Sequence, residues 1–354
     1  MKTFFESIQL ALEKKASDVF IIAGQPLSYK IGRELVEIDD ERVMPEHSER
    51  LVREAYALAA RDIGRLEETG DDDFAVSVAG VSRMRVNTYK QRGSLAAVIR
   101  LVPFGIPDYR DIKIPEQVMD AAKVKQGLVL VSGTAGSGKS TTLACLIDRI
   151  NHTRGGHIVT LEDPIEYLYR NDKCVISQRE VKIDTVDYVT AIRASLRQAP
   201  DVILLGEMRD FETIRTALTA AETGHLVLST LHTKGAANTV DRIIDIFPPN
   251  QQQQIRVQLA FLLQEVISEQ LIPTVSGGVI PVFEVMMVNN AVRNLIRDAK
   301  LHQIDSVIST SAAEGMISMD NSLTELFRRG TITLETAIAF AMNPELMAKR
   351  LALL

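Results

Sequence analysis

The residues from Gly133 to Thr141 are those whose types and spacing point most clearly to chemistry. They follow the apolar run Leu128–Ser132 and precede an apolar pattern with helical spacing. A strand, a glycine-rich loop ending in Lys-Ser and a helix, in this order, are typical of a phosphate-binding loop, or P-loop. Glycines let such a loop curl, so that its N–H groups and the helix N-terminus point at an anion.

This pattern predicts that the loop holds the phosphates of a nucleotide. Lys139 would reach the β- and γ-phosphate oxygens as a point charge, and the Ser140 hydroxyl would bind Mg²⁺. The alternative is a glycine-rich turn that merely precedes a helix. The predicted nucleotide-binding residues are Thr134, Ala135, Gly136, Ser137, Gly138, Lys139, Ser140 and Thr141.

Two acidic segments follow apolar strand patterns further along the chain. Glu207 comes after Val202–Leu205 and Gly206, where a Walker B carboxylate near Mg²⁺ is expected, and Glu162 ends another apolar run before Asp163 and a proline turn. Two carboxylates at strand ends suit metal-assisted hydrolysis, in which one holds the water shell of the ion and the other orients the attacking water. The alternative is a pair of solvated acids in strand-terminal turns.

Composition limits the class of protein that can carry these motifs. The chain has 354 residues, of which 46% are hydrophobic and 24% charged, which favours two globular domains. A net charge of −6 disfavours nucleic-acid binding. The sequence has no apolar run of membrane-spanning length and no obvious export signal, so we expect a protein that is not inserted in a membrane. Two cysteines without metal-ligand spacing, Cys145 and Cys174, suit a reducing cytoplasm.

The first hundred residues alternate between helical and strand patterns. Their apolar spacing predicts helices, and their period-two runs with intervening turns predict strands. We therefore expect a small α/β domain with an antiparallel sheet over residues 1–102. The predicted helices cover 3–15 and 45–66, and the predicted strands cover 18–24, a hairpin over 27–35, and 74–78, 83–89 and 95–101.

A cluster of prolines and a glycine over residues 103–115 interrupts helical structure and predicts a linker. Beyond it, strands alternate with helices, which predicts a mainly parallel sheet with helices on its faces over residues 116–354. We interpret Gln251–Gln254 as the exposed first turn of a helix that continues to Leu263. A strand pair is predicted near 280–288, and C-terminal helices are predicted from about 290 to 354.

Several motifs, taken together and in order, resemble those of the secretion and type IV pilus ATPases, and three of them are similar to the pilus retraction ATPases in particular. The general motifs are Glu162–Glu166, Gly206–Asp210, Glu222–Leu226 and Thr230–Thr233. The retraction motifs are Gln178–Val181, Ala217–His225 and Ala291–Arg297.

The resemblance implies a RecA-like P-loop ATPase core preceded by a PAS-like N-terminal domain. It implies ATP and Mg²⁺ as substrate and cofactor, and a homohexameric ring that drives pilus disassembly and twitching motility. It further implies a cytoplasmic location at the inner face of the membrane, peripheral to it, with a platform protein of the pilus as partner.

The resemblance also assigns roles to single residues. Glu162 becomes the activator of the attacking water, and Glu207 becomes the carboxylate that binds Mg²⁺ through water. These assignments place Ser140 and Glu207 at the metal. His225 and His232 form the histidine motif of the family, although each alone would read as a structural histidine at a strand end. Arg85 and Arg100 match a pair that approaches the γ-phosphate, against the alternative of exposed strand arginines.

Other functions remain open from sequence. An accessory retraction ATPase or a filament-assembly or secretion ATPase would share the same motifs. A non-hydrolysing nucleotide switch would share the P-loop but would not need Glu162 and Glu207. A RecA-like DNA-handling ATPase is disfavoured by the net charge of −6.

Overall fold

The computed structural model describes residues 2–32, 34–78, 82–102 and 105–353. The chain forms two compact units, Met1–Gly105 with Glu166–Leu168, and Ile106–Ile165 with Tyr169–Leu354. Of the predicted linker, Pro103 and Phe104 lie outside the described residues. Ile114 is buried within the core of the second unit, and Ile106, Tyr109 and Ile112 pack against the same cluster. The linker residues from Ile106 onward therefore pack as part of the second unit, and the predicted domain limits stay predictions.

The first unit is built on an antiparallel sheet, as predicted. In its described residues, six strands lie in the order β3-β2-β1-β6-β5-β4, and every neighbouring pair is antiparallel. The strands are β1 (Asp18–Ile21), β2 (Pro26–Ile31), β3 (Glu34–Arg42), β4 (Asp71–Val78), β5 (Ser82–Gln91) and β6 (Ser94–Val102), and the helices are α1 (Phe4–Glu13), α2 (Pro45–Leu58) and α3 (Gly64–Thr69).

The single helix predicted over 45–66 is wrong, because α2 ends at Leu58 and α3 begins at Gly64. Ala60 has a positive φ of 49°, which interrupts the helical hydrogen-bond pattern. The break places Arg61 where its Nε and Nη2 atoms donate to the buried Asp72 carboxylate at 2.8 and 2.9 Å. A buried carboxylate needs such a partner, so tertiary pairing overrides the helical pattern here.

The second unit has a seven-stranded sheet in the order β13-β12-β7-β11-β10-β8-β9, in which only β13 is antiparallel to its neighbour. This arrangement confirms the predicted mainly parallel sheet. Its strands are β7 (Gly127–Ser132), β8 (Gly156–Glu162), β9 (Cys174–Glu180), β10 (Val202–Leu205), β11 (Leu226–Leu231), β12 (Leu263–Pro273) and β13 (Val279–Met287).

The helices of the second unit cover both faces of this sheet and continue into a C-terminal group. No helix in the described part of the chain is long and apolar enough to cross a membrane. The helices are α4 (Glu116–Met119), α5 (Lys139–Thr153), α6 (Tyr188–Ser195), α7 (Phe211–Glu222), α8 (Ala236–Asp245), α9 (Pro249–Leu262), α10 (Asn290–Arg297), α11 (Ile304–Thr310), α12 (Met319–Arg328), α13 (Leu334–Phe340) and α14 (Pro344–Leu351).

Two apolar clusters pack against opposite faces of this sheet. Alternate residues of β7 belong to each, because Leu128 and Leu130 join one cluster while Val129 and Val131 join the other. All six residues of β7 are buried, as expected for a parallel strand covered on both faces. Because β7, β11, β10 and β8 are parallel, their carboxyl ends lie at the same edge of the sheet. The residues that follow each strand therefore lie at this edge.

Strand β12 is an element that the sequence did not predict. The predicted helix continues to Leu263, and polar residues interrupt the apolar pattern of the segment that follows it. In the structure, Glu265, Ser268 and Glu269 are nevertheless buried, because β12 lies between β7 and β13 in the sheet. Burial of these polar side chains at a central strand is a tertiary effect that hydrophobic periodicity does not report.

Candidate active site

The P-loop joins the end of β7 to the start of α5. Gly136 and Gly138 have φ values of 75° and 107°, a region that residues with a Cβ atom seldom adopt. Thr134 and Ala135 are exposed together with Gly136, so the tip of the loop is open to a ligand. The Ser137 side chain is buried, and its Oγ has no hydrogen-bond partner among the described residues.

Lys139 occupies the first position of α5 and points back into the loop. Its Nζ donates to the carbonyl oxygens of Gly133 and Thr134, both at 2.8 Å, and the residue is 7% exposed. The ammonium is thus held where phosphate oxygens could become its acceptors. Ser140 is exposed and Thr141 half-buried in the first turn of the same helix, so both can be approached by a nucleotide.

Glu207 is held at the end of β10 by the neighbouring strand β11. The Thr230 hydroxyl donates to the carbonyl oxygen of Gly206 at 2.6 Å, and the Met208 N–H donates to the carbonyl oxygen of Thr230 at 3.1 Å. Two residues beyond Thr230, the His232 Nε2 lies 3.3 Å from one Glu207 oxygen. Arg209 Nε lies 2.7 Å from the other oxygen. The structure therefore brings Glu207 and His232 together.

Glu162 ends β8 on the other side of β10. The register pairs Leu161 with Leu205, so Glu162 lies beside Gly206, where an added Cβ would be 3.4 Å from the Glu162 Cα. Its side chain is 8% exposed and accepts a hydrogen bond from the Thr160 hydroxyl at 2.7 Å. Glu162 and Glu207 therefore follow adjacent strands at one edge, with Glu162 in a fixed orientation.

Tyr188 is a neighbour of these carboxylates that sequence reasoning missed. Its buried hydroxyl has no hydrogen-bond partner among the described residues and would lie 2.9 Å from a Cβ on Gly206. Burial raises the pKa of Tyr188, and the nearby charges of Glu207, Asp163 and Glu162 raise it further. The three carboxylates near Tyr188 could attract a cation, although Arg209 offsets part of their charge. A lone aromatic residue at a helix start gives no sequence signal for this position.

His225 is not brought to this edge. It precedes β11, whereas His232 follows it, and the six residues of β11 separate the two by roughly 20 Å at about 3.3 Å per residue. The His225 Nδ1 lies 3.0 Å from the Ala220 carbonyl oxygen and 3.1 Å from the Thr223 hydroxyl. These contacts describe a histidine that stabilises the end of α7, and its catalytic role stays a prediction.

Arg85 and Arg100 lie directly opposite each other on β5 and β6 of the first unit. Like charges at paired positions repel unless anions compensate them. Asp73 lies 3.9 Å from Arg85 Nε, and the buried Asp18 carboxylate accepts from Arg100 Nε at 2.9 Å. Both guanidinium side chains keep large exposed fractions, 44% and 67%. Their role toward a phosphate stays a prediction.

The donor set suits Mg²⁺ bound together with a nucleotide. No group of three or more His, Cys, Asp or Glu side chains in the described ranges could hold a metal ion by itself. Magnesium in nucleotide sites usually has one or two protein oxygens, with phosphates and water as its other ligands. The exposed Ser140 hydroxyl and the Glu207 carboxylate are oxygen donors of this kind, so the residues present fit the ion.

Comparison with known proteins gives consistent results over nearly the whole chain. The family model described as type II/IV secretion system protein matches residues 1–335. The type IV pilus retraction ATPase PilT of Pseudomonas aeruginosa is 41% identical over 342 residues, covering 96% of this chain and 98% of that protein. The type IV pilus ATPase PilU of the same organism is 37% identical, covering 96% and 88%.

Among solved structures, the crystal structure of the pilus retraction motor PilT with bound ADP has a TM-score of 0.90. It is 44% identical in sequence, and the match covers 98% of each chain. Similarity at this level extends to both units. It includes the P-loop edge, which is the edge of the sheet that carries the P-loop, Glu162 and Glu207.

Proposed function

The chain belongs to the type II/IV secretion system protein family, and we propose that it uses Mg²⁺-dependent ATP hydrolysis to retract a type IV pilus. The family and its relatives indicate an ATPase, and the PilT relatives indicate retraction. The single observation that supports hydrolysis most strongly is the placement of two carboxylates, Glu162 and Glu207, at the sheet edge that carries the P-loop. A nucleotide switch without turnover would not need both.

In this proposal the chain binds and orients ATP through its P-loop. Lys139 exchanges its bonds to the loop carbonyls for bonds to phosphate oxygens. Ser140 and Glu207 would hold Mg²⁺, which would supply positive charge against the phosphates. Glu162, oriented by the Thr160 hydroxyl, accepts a proton from the attacking water. His232 stays beside Glu207 and orients that carboxylate.

We further propose that the subunits form a homohexameric ring. Arg85 and Arg100 would approach the γ-phosphate during the cycle and would leave after product release. The hinge predicted over residues 103–115 would bend before Ile106, because the linker residues from Ile106 onward pack in the second unit. The ring would act on the pilus through a platform protein, as a peripheral component at the cytoplasmic face of the membrane. These steps extend the resemblance to PilT.

An accessory role in retraction is a second candidate, and the similarity to the type IV pilus ATPase PilU leaves room for a pilus function other than that of PilT. Filament assembly is a third possibility within the same superfamily. The three functions differ in their effect on the number of surface pili rather than in the chemistry of the site.

Deletion of the gene in a piliated host separates these functions. We expect hyperpiliated cells that do not twitch, because filaments would still assemble but would not be withdrawn. Electron microscopy of surface pili and a twitching-zone assay measure the two effects, and complementation with the wild-type gene is the control. Bald cells would contradict retraction and indicate assembly, whereas piliated cells that still twitch would contradict a principal role in retraction.

Helix α10 offers a way to separate hydrolysis from retraction. Val292 and Ile296 anchor it in the core, while Asn294 and Arg297 are exposed and hydrogen-bonded to each other at 2.8 Å. We expect the double variant N294A/R297A to keep at least about half of the ATPase rate, since surface substitutions usually change stability little, and to lose twitching. Phosphate release and twitching zones are the measurements. A matched loss of both activities would contradict separate roles.

A further inference from the structure

Strand β12 lies beside the P-loop and contacts it. Its register pairs Ser268 with Ser132, the last residue of β7. Beyond that point β7 gives way to the loop while β12 continues to Pro273. Glu269, the next residue of β12, therefore lies alongside the first residue of the loop, Gly133.

Glu269 contacts the loop at its beginning and at its end. A Cβ atom on Gly133 would lie 2.3 Å from the Glu269 carbonyl oxygen, and one on Gly138 would lie 2.2 Å from Glu269 Oε1. Both distances are too short for a side chain, so the two glycines are packed directly on this residue. Besides its positive φ value, Gly133 is thus required by the close approach of the Glu269 backbone, and the absence of a side chain at Gly138 leaves room for the Glu269 carboxylate.

The Glu269 carboxylate also contacts the helix that the loop begins. The Thr142 hydroxyl, in the first turn of α5, donates to Glu269 Oε2 at 2.8 Å. Thr142 is fully buried and Glu269 is 2% exposed. A hydrogen bond between two buried groups without competing water holds their separation closely. Glu269 thereby connects β12 to both ends of the phosphate-binding segment, through its backbone carbonyl at Gly133 and through its side chain at Gly138 and Thr142.

We propose that Glu269 is a positioning residue, which holds the P-loop in its phosphate-binding shape before nucleotide arrives through Thr142 and the packing on Gly133 and Gly138. This inference rests on the proposed ATPase function. It assigns Glu269 no contact with the reacting atoms. A loop that is held in its binding shape in advance loses less conformational entropy on binding. We therefore expect Glu269 to raise the affinity for nucleotide.

The ionisation of Glu269 is compatible with this role. Burial raises the pKa of Glu269 to about 7, against the opposing effects of the Thr142 hydrogen bond and the Lys139 charge. Both the protonated and the ionised carboxyl group retain an oxygen that accepts from Thr142. The positioning contact therefore does not depend on one charge state.

The same strand supplies a matched control at Glu265. Both Glu265 oxygens are buried and lack a hydrogen-bond partner among the described residues, and burial raises the pKa of Glu265 to about 8. Glu265 pairs with Val129 in the middle of β7, four residues before the loop. Truncation of Glu265 removes a buried carboxyl group of equal size from β12 without touching the loop.

The test compares E269A, E269Q, T142V and the E269A/T142V double variant with E265A and the wild type. The measurements are the Kd of Mg-ADP, the KM for ATP and kcat, with Tm as a control for folding. Removing one positioning hydrogen bond with its packing is expected to raise Kd and KM about tenfold in E269A and T142V. At saturating ATP, kcat should stay within about threefold, because bound phosphates then order the loop.

E269Q should bind nucleotide within about threefold of the wild type, since its amide oxygen can accept from Thr142. The Kd of the double variant should be at most about twice that of either single variant, because both substitutions remove the same interaction. E265A should leave Kd within about twofold, since Glu265 pairs with Val129, away from the loop, and Tm reports any effect of its truncation on stability.

A Kd for E269A equal to that of E265A, or fully additive effects in the double variant, would overturn the positioning role. If the wild type binds and hydrolyses nucleotide while E269A behaves identically, only this inference fails. A wild type that does not bind Mg-ADP would overturn the proposed function, and the role of Glu269 with it.

Discussion

Replacement of Lys139 by alanine is expected to abolish ATP hydrolysis. The ammonium is buried in the P-loop and donates to two loop carbonyl oxygens. It is therefore already in place to donate to phosphate oxygens when a nucleotide binds. Loss of a preorganised charge at a transferring phosphoryl group costs at least about a hundredfold in rate. Phosphate release from purified protein with Mg-ATP measures the effect, and the rate should fall to background.

Lys173→Ala is the matched control for this variant. Lys173 is an exposed lysine of the same unit whose N–H donates to the Asn151 carbonyl oxygen, and truncating its side chain leaves that bond in place. Its ATPase rate should equal that of the wild type. An unchanged rate in Lys139→Ala would contradict a role of the P-loop in ATP hydrolysis.

Replacement of Glu162 by glutamine should stop hydrolysis while ATP still binds. The amide has the shape of the carboxylate and can still accept the Thr160 hydrogen bond, but it is a very weak base. Loss of a general base typically lowers the rate about 10²- to 10⁴-fold. Single-turnover phosphate release measures the chemical step, and equilibrium binding of Mg-ATP should stay within about threefold of the wild type.

Glu325→Gln is the control for the glutamate substitution. Glu325 lies on α12, outside the motifs of the predicted site, is exposed, and accepts a hydrogen bond from Arg329 at 2.8 Å. It should hydrolyse ATP at the wild-type rate. Normal turnover in Glu162→Gln would reassign activation of water to another group, with Glu207 as the first candidate.

The P-loop edge could be predicted from sequence because local chemistry specifies it. Gly136 and Gly138 need a left-handed backbone, and Lys139 and Ser140 follow directly, so motif and geometry coincide. Glu162 and Glu207 were predictable because residues that follow parallel strands share an edge of the sheet. Each of these predictions depends on spacing within a few residues of one strand.

Other features depend on contacts between distant parts of the chain, which periodicity does not report. His225 and His232 belong to one sequence motif, yet β11 separates them because its extended backbone lies between the two. Glu269 reaches the P-loop from a strand that was not predicted, since its burial follows from pairing between β7 and β13. Ala60 breaks a regular helical pattern where Arg61 pairs with Asp72. In each case tertiary structure decides the outcome.

Retraction of fluorescently labelled pili in single cells tests the central claim most directly. The deletion host would carry either the wild-type gene or Lys139→Ala at matched expression, and the fraction of pili that shorten would be counted. The proposed function predicts frequent retraction with the wild type and almost none with Lys139→Ala, because the variant cannot use ATP. Retraction restored equally by Lys139→Ala would contradict the claim that ATP hydrolysis by this chain withdraws the pilus.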